Sequence, residues 1–340
     1  MREAMFIKKN VEKWNQYQEG NSTDPDETAQ RFITLIDDLS YAKTFYPKSK
    51  VTRWINGLAA GIYQSIYQNK REKYSRIFDF WKYELPIVFK KHHRTFLFTI
   101  AIFILFVTIG VLSSHSNPDF VRGVLGSNYV DMTEENIAKG DPFGVYKDEN
   151  PFTMFVRIAF NNIRVAFLTF IGGFTLGFFT LKILWSNGIM LGSFQYLFFA
   201  NGLGMQSILV IWIHGTLEIS SIVIAGTAGF ILANGILFPG TYTRLESFKR
   251  GAKDAAKVLI SLVPFFITAS FLESYVTHLM SRTYDKDMNQ GLPVWASVII
   301  LALSLGFIVW YFVIWPILLH KKGRFIKNDD IVKRLYNRND

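Results

Sequence analysis

Apolar residues follow two patterns along this chain. In the first 93 residues they recur at helical spacing among many charges, and afterwards they gather into long blocks. The first pattern is plain in "DPDETAQRFITLIDDLSYAKTF". Asp24 is the expected N-cap, Pro25 opens the first turn, and Glu27 stands at the capping-box position. Phe32, Leu35, Ile36 and Leu39 then share one face, and Tyr46-Pro47 ends the helix. "VTRWINGLAAGIYQSIYQNK" predicts a second amphipathic helix. A third stretch, "SRIFDFWKYELPIVFKKHHR", sets Phe78, Phe80, Trp81 and Phe89 among Lys82, Lys90, Lys91 and Arg94. Such a mixture suits a helix at headgroup depth, or one packed on the rest of a water-facing domain.

The second pattern predicts membrane spans, which need about 18 to 25 apolar residues each. "TFLFTIAIFILFVTIGVLSS", Thr95 to Ser114, is the clearest. A second runs from about Asn162 to Trp185 and carries "IGGFTLGFF". Gly188 to Ala200 is short for a crossing, so it is read as a short or re-entrant segment, tolerable at depth only under cover of protein or a cavity. Ser207 to about Leu237, Val258 to Met280 and Pro293 to Leu319 complete the set. The expected fold class is therefore all-α: a polytopic helical membrane protein of about six spans, with an N-terminal cytoplasmic helical domain. The expected divisions are 1–93 for that amphipathic domain, 94–320 for a transmembrane bundle with an acidic extracytoplasmic loop at 114–153, and 321–340 for a basic cytoplasmic tail.

Composition agrees with this picture. Half of the 340 residues are hydrophobic and 32 are Phe, too apolar for an ordinary water-facing surface. The first 90 residues contain no apolar h-region of a signal peptide. Cysteine is absent, which excludes disulfides and thiolate metal sites. The net charge of +10 is expected to sit in cytoplasmic loops rather than to bind nucleic acid. Residues 114–153 hold seven acidic and three basic side chains, whereas 241–257 hold five basic and two acidic. That bias places both termini in the cytoplasm, which requires an even number of crossings.

Polar groups at membrane depth are the candidate chemistry. "WIHGTLEISS" carries His214 and Glu218 at i, i+4 on one face, and Ser221 extends the stripe. Glu273 in "FLESYVT" reaches a similar outer-half depth on the next span. On the second span Arg157, Asn161 and Arg164 share a face, with Asn162 beside them. A charge in the bilayer costs at least about 2.5 to 3.5 kcal/mol, so Arg164 is expected to pair with Glu218 or Glu273. The cluster Asn161, Asn162, Arg164, His214, Glu218 and Glu273 reads either as a dry lock between helices or as a polar pocket. No metal is expected, because His-x-x-x-Glu with no second histidine nearby is not the zinc-protease spacing. GxSxG and GxxxxGK[ST] are both missing, so neither hydrolase chemistry nor a nucleotide is expected, and the protein is read as no enzyme, with no cofactor. Small residues have a packing explanation. Gly173 and Gly177 form a GxxxG, and Gly215, Ala225, Gly229 and Ala233 line the next long span. Such stripes serve close packing within a bundle or a homodimer.

"NN" at Asn161-Asn162, "NG" at Asn187-Gly188, "HGTLEISSIVIAGTAGF" and "FLESYVT" resemble the recurring motifs of the stage II sporulation protein M family of bacterial and archaeal membrane proteins. "DLSYAKTFYPKSKVTRWINGLAAGIYQSIY" is similar to the N-terminal region of longer members, so the resemblance covers most of the chain. In spore formers, the resemblance implies, the sporulation member localises cell-wall-degrading partners during engulfment. The long N-terminal domain departs from that compact form. The family motifs fall on Asn161, Asn162, His214, Gly215, Glu218 and Glu273. The expected function is a non-enzymatic component or scaffold of a cell-envelope complex in the bacterial inner membrane, with the lipid bilayer and envelope proteins as partners. The alternative is a transporter or channel-like protein with a pocket in the outer half of the bundle, coupled to protons through Glu218 and Glu273.

Overall fold

The computed structural model describes residues 2–19, 24–68, 75–144, 150–284, 291 and 293–325. All regular structure among the described residues is helical, and the chain is an all-α polytopic membrane protein. It divides into two compact units, the first ending at Phe78 and the second beginning at Asp79. The boundary lies short of residue 93. Of the expected basic tail, residues 321–325 end the last helix and the rest lies outside the described residues.

The first unit is a three-helix arrangement of α1 (Glu3–Glu19), α2 (Pro25–Phe45) and α3 (Lys50–Gln68). Asp24 caps α2 as expected, its carboxylate accepting from the Asp26 N–H at 3.0 Å, and Glu27 pairs with Arg31 one turn on. The apolar face of α2 buries Leu35 and Leu39 against Phe6 and Trp14 of α1 and Val51, Ile55 and Ala59 of α3. Trp14 is fully buried and donates its indole N–H to Asp38 at 2.8 Å, so its single polar atom is satisfied inside the core.

After α4 (Ser75–Asp79), which ends at the boundary, the second unit opens with a π-helical turn (Phe80–Glu84) and α5 (Leu85–Lys91). The stretch packs on the membrane helices rather than on the rest of the N-terminal domain. Phe89 meets Phe96 and Phe312 edge-on, at 5.5 and 4.8 Å between ring centroids. The Trp81 and Lys82 carbonyls accept from Tyr311 Oη at 2.6 Å and Trp315 Nε1 at 3.0 Å. Ion pairs add to this hold: Glu84 with Lys257 at 2.7 Å, and Asp254 with Lys91 and His92 at 3.0 and 2.9 Å.

The following helices are α6 (His93–Ser116), α7 (Pro118–Leu125), α8 (Ser127–Lys139), α9 (Pro151–Ile171), α10 (Phe178–Ala200), α11 (Gly204–Leu237) and α12 (Arg244–Phe271). A π-helical turn (Leu272–Thr277) leads from α12 into α13 (His278–Ser281). The last segment comprises α14 (Val294–Val309), a π-helical turn (Trp310–Ile314) and α15 (Trp315–Phe325). Among the described residues, five helical stretches are long and apolar enough to cross a membrane: 93–116, 151–175, 204–237, 244–284 and 294–321. α11 is the central one, with 67% of its apolar window buried against 22% for the first and last stretches.

The expected second and third spans are corrected. The apolar run from Asn162 to Trp185 is not one helix. α9 ends in a 3-10 turn at Gly172–Thr175, and the chain reverses through Leu176 and Gly177, both at positive φ (56° and 89°). α10 then runs unbroken for 23 residues, about 34 Å at 1.5 Å per residue, so Gly188 to Ala200 is the second half of a longer helix rather than a short element of its own. Only the glycines of this reversal are buried, Gly173 abutting the backbone of Gly229, while Phe174, Leu176 and Phe178 stay exposed. Gly173 and Gly177 therefore do not form a stripe on one helix. They shape a turn that seats on the Gly229 and Ala233 face of α11.

The acidic loop also has structure. α7 and α8 occupy most of it, joined by Arg122, which binds Asp131 and, at 2.9 Å, Glu134. Val121 and Val130 bury against Leu197 of α10. Phe143 is fully buried, stacked on Phe198 at 5.5 Å and edge-on to Tyr284 at 6.0 Å. This segment covers one end of the helix bundle.

Candidate functional site

α11 is apolar around nearly its whole circumference, as a helix at the centre of a bundle must be. His214 and Glu218 interrupt it one turn apart, facing the junction with α9 and the 272–277 turn. His214 is buried at 4% exposure. Its Nδ1 lies 2.9 Å from Thr277 Oγ1 and its Nε2 3.9 Å from Glu273 Oε1. One donor atom each from His214, Glu218 and Glu273 fall within 4.8 Å of one another. The π-helical turn supplies both Glu273 and Thr277, and such turns recur at functional sites because they re-aim side chains out of α-helical register.

α9 contributes Asn162. It is buried at 4% exposure and lies near enough to the Glu218 carboxylate to interact with it. Its Nδ2 nonetheless makes no hydrogen bond of ordinary geometry. The other two α9 residues expected here do not join. Asn161 and Arg164 are exposed, and Arg164 borders an apolar groove with Phe160, Phe167 and Ile260. The inward face of α9 runs through Met154, Ala159, Asn162, Ala166 and Thr169, and a 100° step per residue carries 161 and 164 off it. Arg157, exposed on the same face two turns earlier in α9, is the cation whose charge acts on Glu273.

A pocket of about 340 Å³ reaches the cluster between α10 and α11, beside α7 and α8. His214, Gly215 and Glu218 form its polar wall, and Met190, Phe194 and Tyr129 are among its apolar ones. Gly215 was expected to serve helix packing. A Cβ there would meet nothing within 4 Å, so its contribution is open space beside the two ionisable side chains. Gly229, by contrast, does what the small-residue stripe predicts: a Cβ would fall 2.6 Å from Thr169 O and 2.4 Å from Thr180 Oγ1.

Two further constructions escaped the sequence reading. Gly110 of α6 and Gly188 and Gly192 of α10 form a close seam, where added Cβ atoms would fall 2.3 to 2.7 Å from α6 or α10 atoms, and a buried Ser114–Ser193 hydrogen bond of 3.0 Å closes it. The spacing Gly188-x-x-x-Gly192 was the available signal. A polar chain runs from Trp212 Nε1 to Gln195 Oε1 (2.9 Å) and from Gln195 Nε2 to Ser207 Oγ (2.7 Å), pinning α10 to α11. Gln195 lies in the segment read as short, so its partner could not be placed.

An imidazole and two carboxylates that converge inside a helical bundle can hold a cation, share protons, or bind a basic group on a solute. The fold and the cluster define a polytopic membrane protein with an ionisable core. Residues 99–278, more than half of the chain and all of the cluster, match the family model of stage II sporulation protein M, and the chain belongs to that family. Residues 4–68 separately match a domain of unknown function, DUF8413, whose extent is that of α1 to α3. No curated protein and no solved structure matches the chain.

Proposed function

We propose that this protein is a non-enzymatic component of a cell-envelope complex in the bacterial inner membrane, anchored by the helical bundle and recruiting partners through its N-terminal unit. The observation that carries this reading is the N-terminal unit itself, folded around its own sealed core of Trp14, Leu35 and Ile55. A separately cored helical unit joined to a membrane bundle has the organisation of a docking module. Counting α10 as a crossing gives six. The basic residues Lys90, Lys91 and Arg94 before α6 and Arg244 to Lys257 after α11 then lie on one side, the cytoplasm, with both termini. Affinity purification of the full-length chain from its native membranes is expected to retain specific envelope proteins that are lost when residues 1–78 are removed. The reading fails if the truncated chain keeps the same partners, or if the purified protein alone moves a solute into liposomes.

A second reading, transport, is favoured by the pocket at His214 and Glu218. The natural absence of cysteine makes its test direct. Under transport, Glu218→Cys reacts with a membrane-impermeant thiol reagent from the outer side of spheroplasts, and Ile104→Cys, on the exposed face of α6, does not. Protection of Glu218→Cys in folded protein counts against it.

A further inference from the structure

One donor atom each from His214, Glu218 and Glu273 converge to within 4.8 Å of one another, a little wider than the ligands of a bound metal sit. Bonds of about 2.0 to 2.2 Å to zinc set neighbouring donors roughly 3.3 to 3.5 Å apart. Here Nε2 and Oε1 of His214 and Glu273 are already at 3.9 Å, and the whole set lies within 4.8 Å. Small side-chain rotations suffice to close it. We propose that these three residues bind one divalent transition-metal ion, zinc being the fitting ion, inside the membrane unit.

Four features beyond the cluster support the site. The Thr277 hydroxyl meets His214 Nδ1 at 2.9 Å and turns Nε2 toward Glu273, which is how a ligating imidazole is usually held by its second nitrogen. The buried, unpartnered Nδ2 of Asn162 points to the Glu218 carboxylate, in place to hold one oxygen when the other moves onto a cation. Two carboxylates brought together away from water repel each other unless a positive charge or a proton intervenes, and a divalent ion supplies that charge to both. Finally, the pocket and the vacant space at Gly215 leave a fourth position open to water or a solute, as in zinc sites with three protein ligands. One nitrogen and two oxygens without thiolate favour zinc over copper(I), and the imidazole disfavours magnesium and calcium, which take oxygen ligands.

The site is independent of both functional readings, since a scaffold and a transporter could each contain it. Full-length protein, stripped by chelator in detergent and dialysed against trace Zn²⁺, is expected to retain about one equivalent by elemental analysis. Co²⁺ in its place is expected to give the visible absorption of a four-coordinate ion. Glu218→Gln and Glu273→Gln remove a ligand and should abolish both signals, while Thr277→Val should weaken affinity by roughly 10- to 100-fold. Wild-type protein that holds only a small fraction of an equivalent, or that gives no such cobalt spectrum, overturns the proposal whether or not the variants fold. Equal zinc in wild type and in folded Glu273→Gln overturns it as well. Partner recovery in the purification described above tests the scaffold alone.

Discussion

Gly229→Leu is expected to dismantle the packing of the membrane helices. A Cβ at this position would fall 2.6 Å from the Thr169 carbonyl oxygen and 2.4 Å from Thr180 Oγ1, and the remaining leucine atoms have nowhere to go. Thr169 and Thr180 are fully buried, and Thr180 Oγ1 already donates to Thr169 O at 2.8 Å. Neither group can swing aside, because one is backbone and the other is held by that bond. Overpacking in a close-packed interior costs about 1 to 3 kcal/mol when side chains can adjust, and more when they cannot. The variant should therefore lose its monodisperse peak in detergent chromatography and melt well below the parent. Gly215→Ala is the matched control on the same helix. With nothing within 4 Å of its Cβ, it should fold normally and gain up to about 1 kcal/mol of helix propensity. If both variants behave alike, close approach at Gly229 is not what holds α9, α10 and α11 together.

Trp14→Ala is expected to unfold the N-terminal unit while leaving the membrane unit inserted. Removing a fully buried tryptophan costs about 3 to 5 kcal/mol, and a domain of this size rarely has more than about 3 to 5 kcal/mol in total. The substitution also removes the donor that Asp38 accepts from at 2.8 Å. Brief trypsin treatment of membranes holding the full-length chain should cut the variant within residues 1–68 under conditions that spare the parent, with residues beyond the membrane entry protected in both. Equal protease resistance would mean that the core seen around Trp14, Leu35 and Ile55 contributes little to stability.

Much of this architecture can be read directly from the residues, and where it cannot the reasons are physical. α6 is an uninterrupted apolar block, and α2 carries a cap, a first-turn proline and a periodic face, so length and period identify both. α1 has a weak pattern, since only Phe6 and Trp14 are strongly buried along its length, and it was not marked as a separate helix. The reversal at Leu176–Gly177 is apolar and carries no polar turn residue, and hydropathy registers polarity rather than direction. The cluster followed from depth: His214, Glu218 and Glu273 fall at similar heights once the order of crossings is known, and the structure brings them together. Which α9 residue joins them depends on the azimuth of that helix. Azimuth comes from packing, so Asn162 could not be told from Asn161, whereas Arg157 and Arg164 share a face and differ in height by about 10 Å.

The π-helical turn at Leu272–Thr277 has a consequence for how such a cluster can arise. A π turn is an α-helix with one residue added. Deleting that residue would rotate everything beyond it by about 100° and draw it in by about 1.5 Å. Glu273 sits near the start of the turn and Thr277 at its end, four residues on, a spacing that keeps the two on one side of the helix. Thr277 and the chain beyond it therefore owe the direction they face, relative to α12, to that added residue.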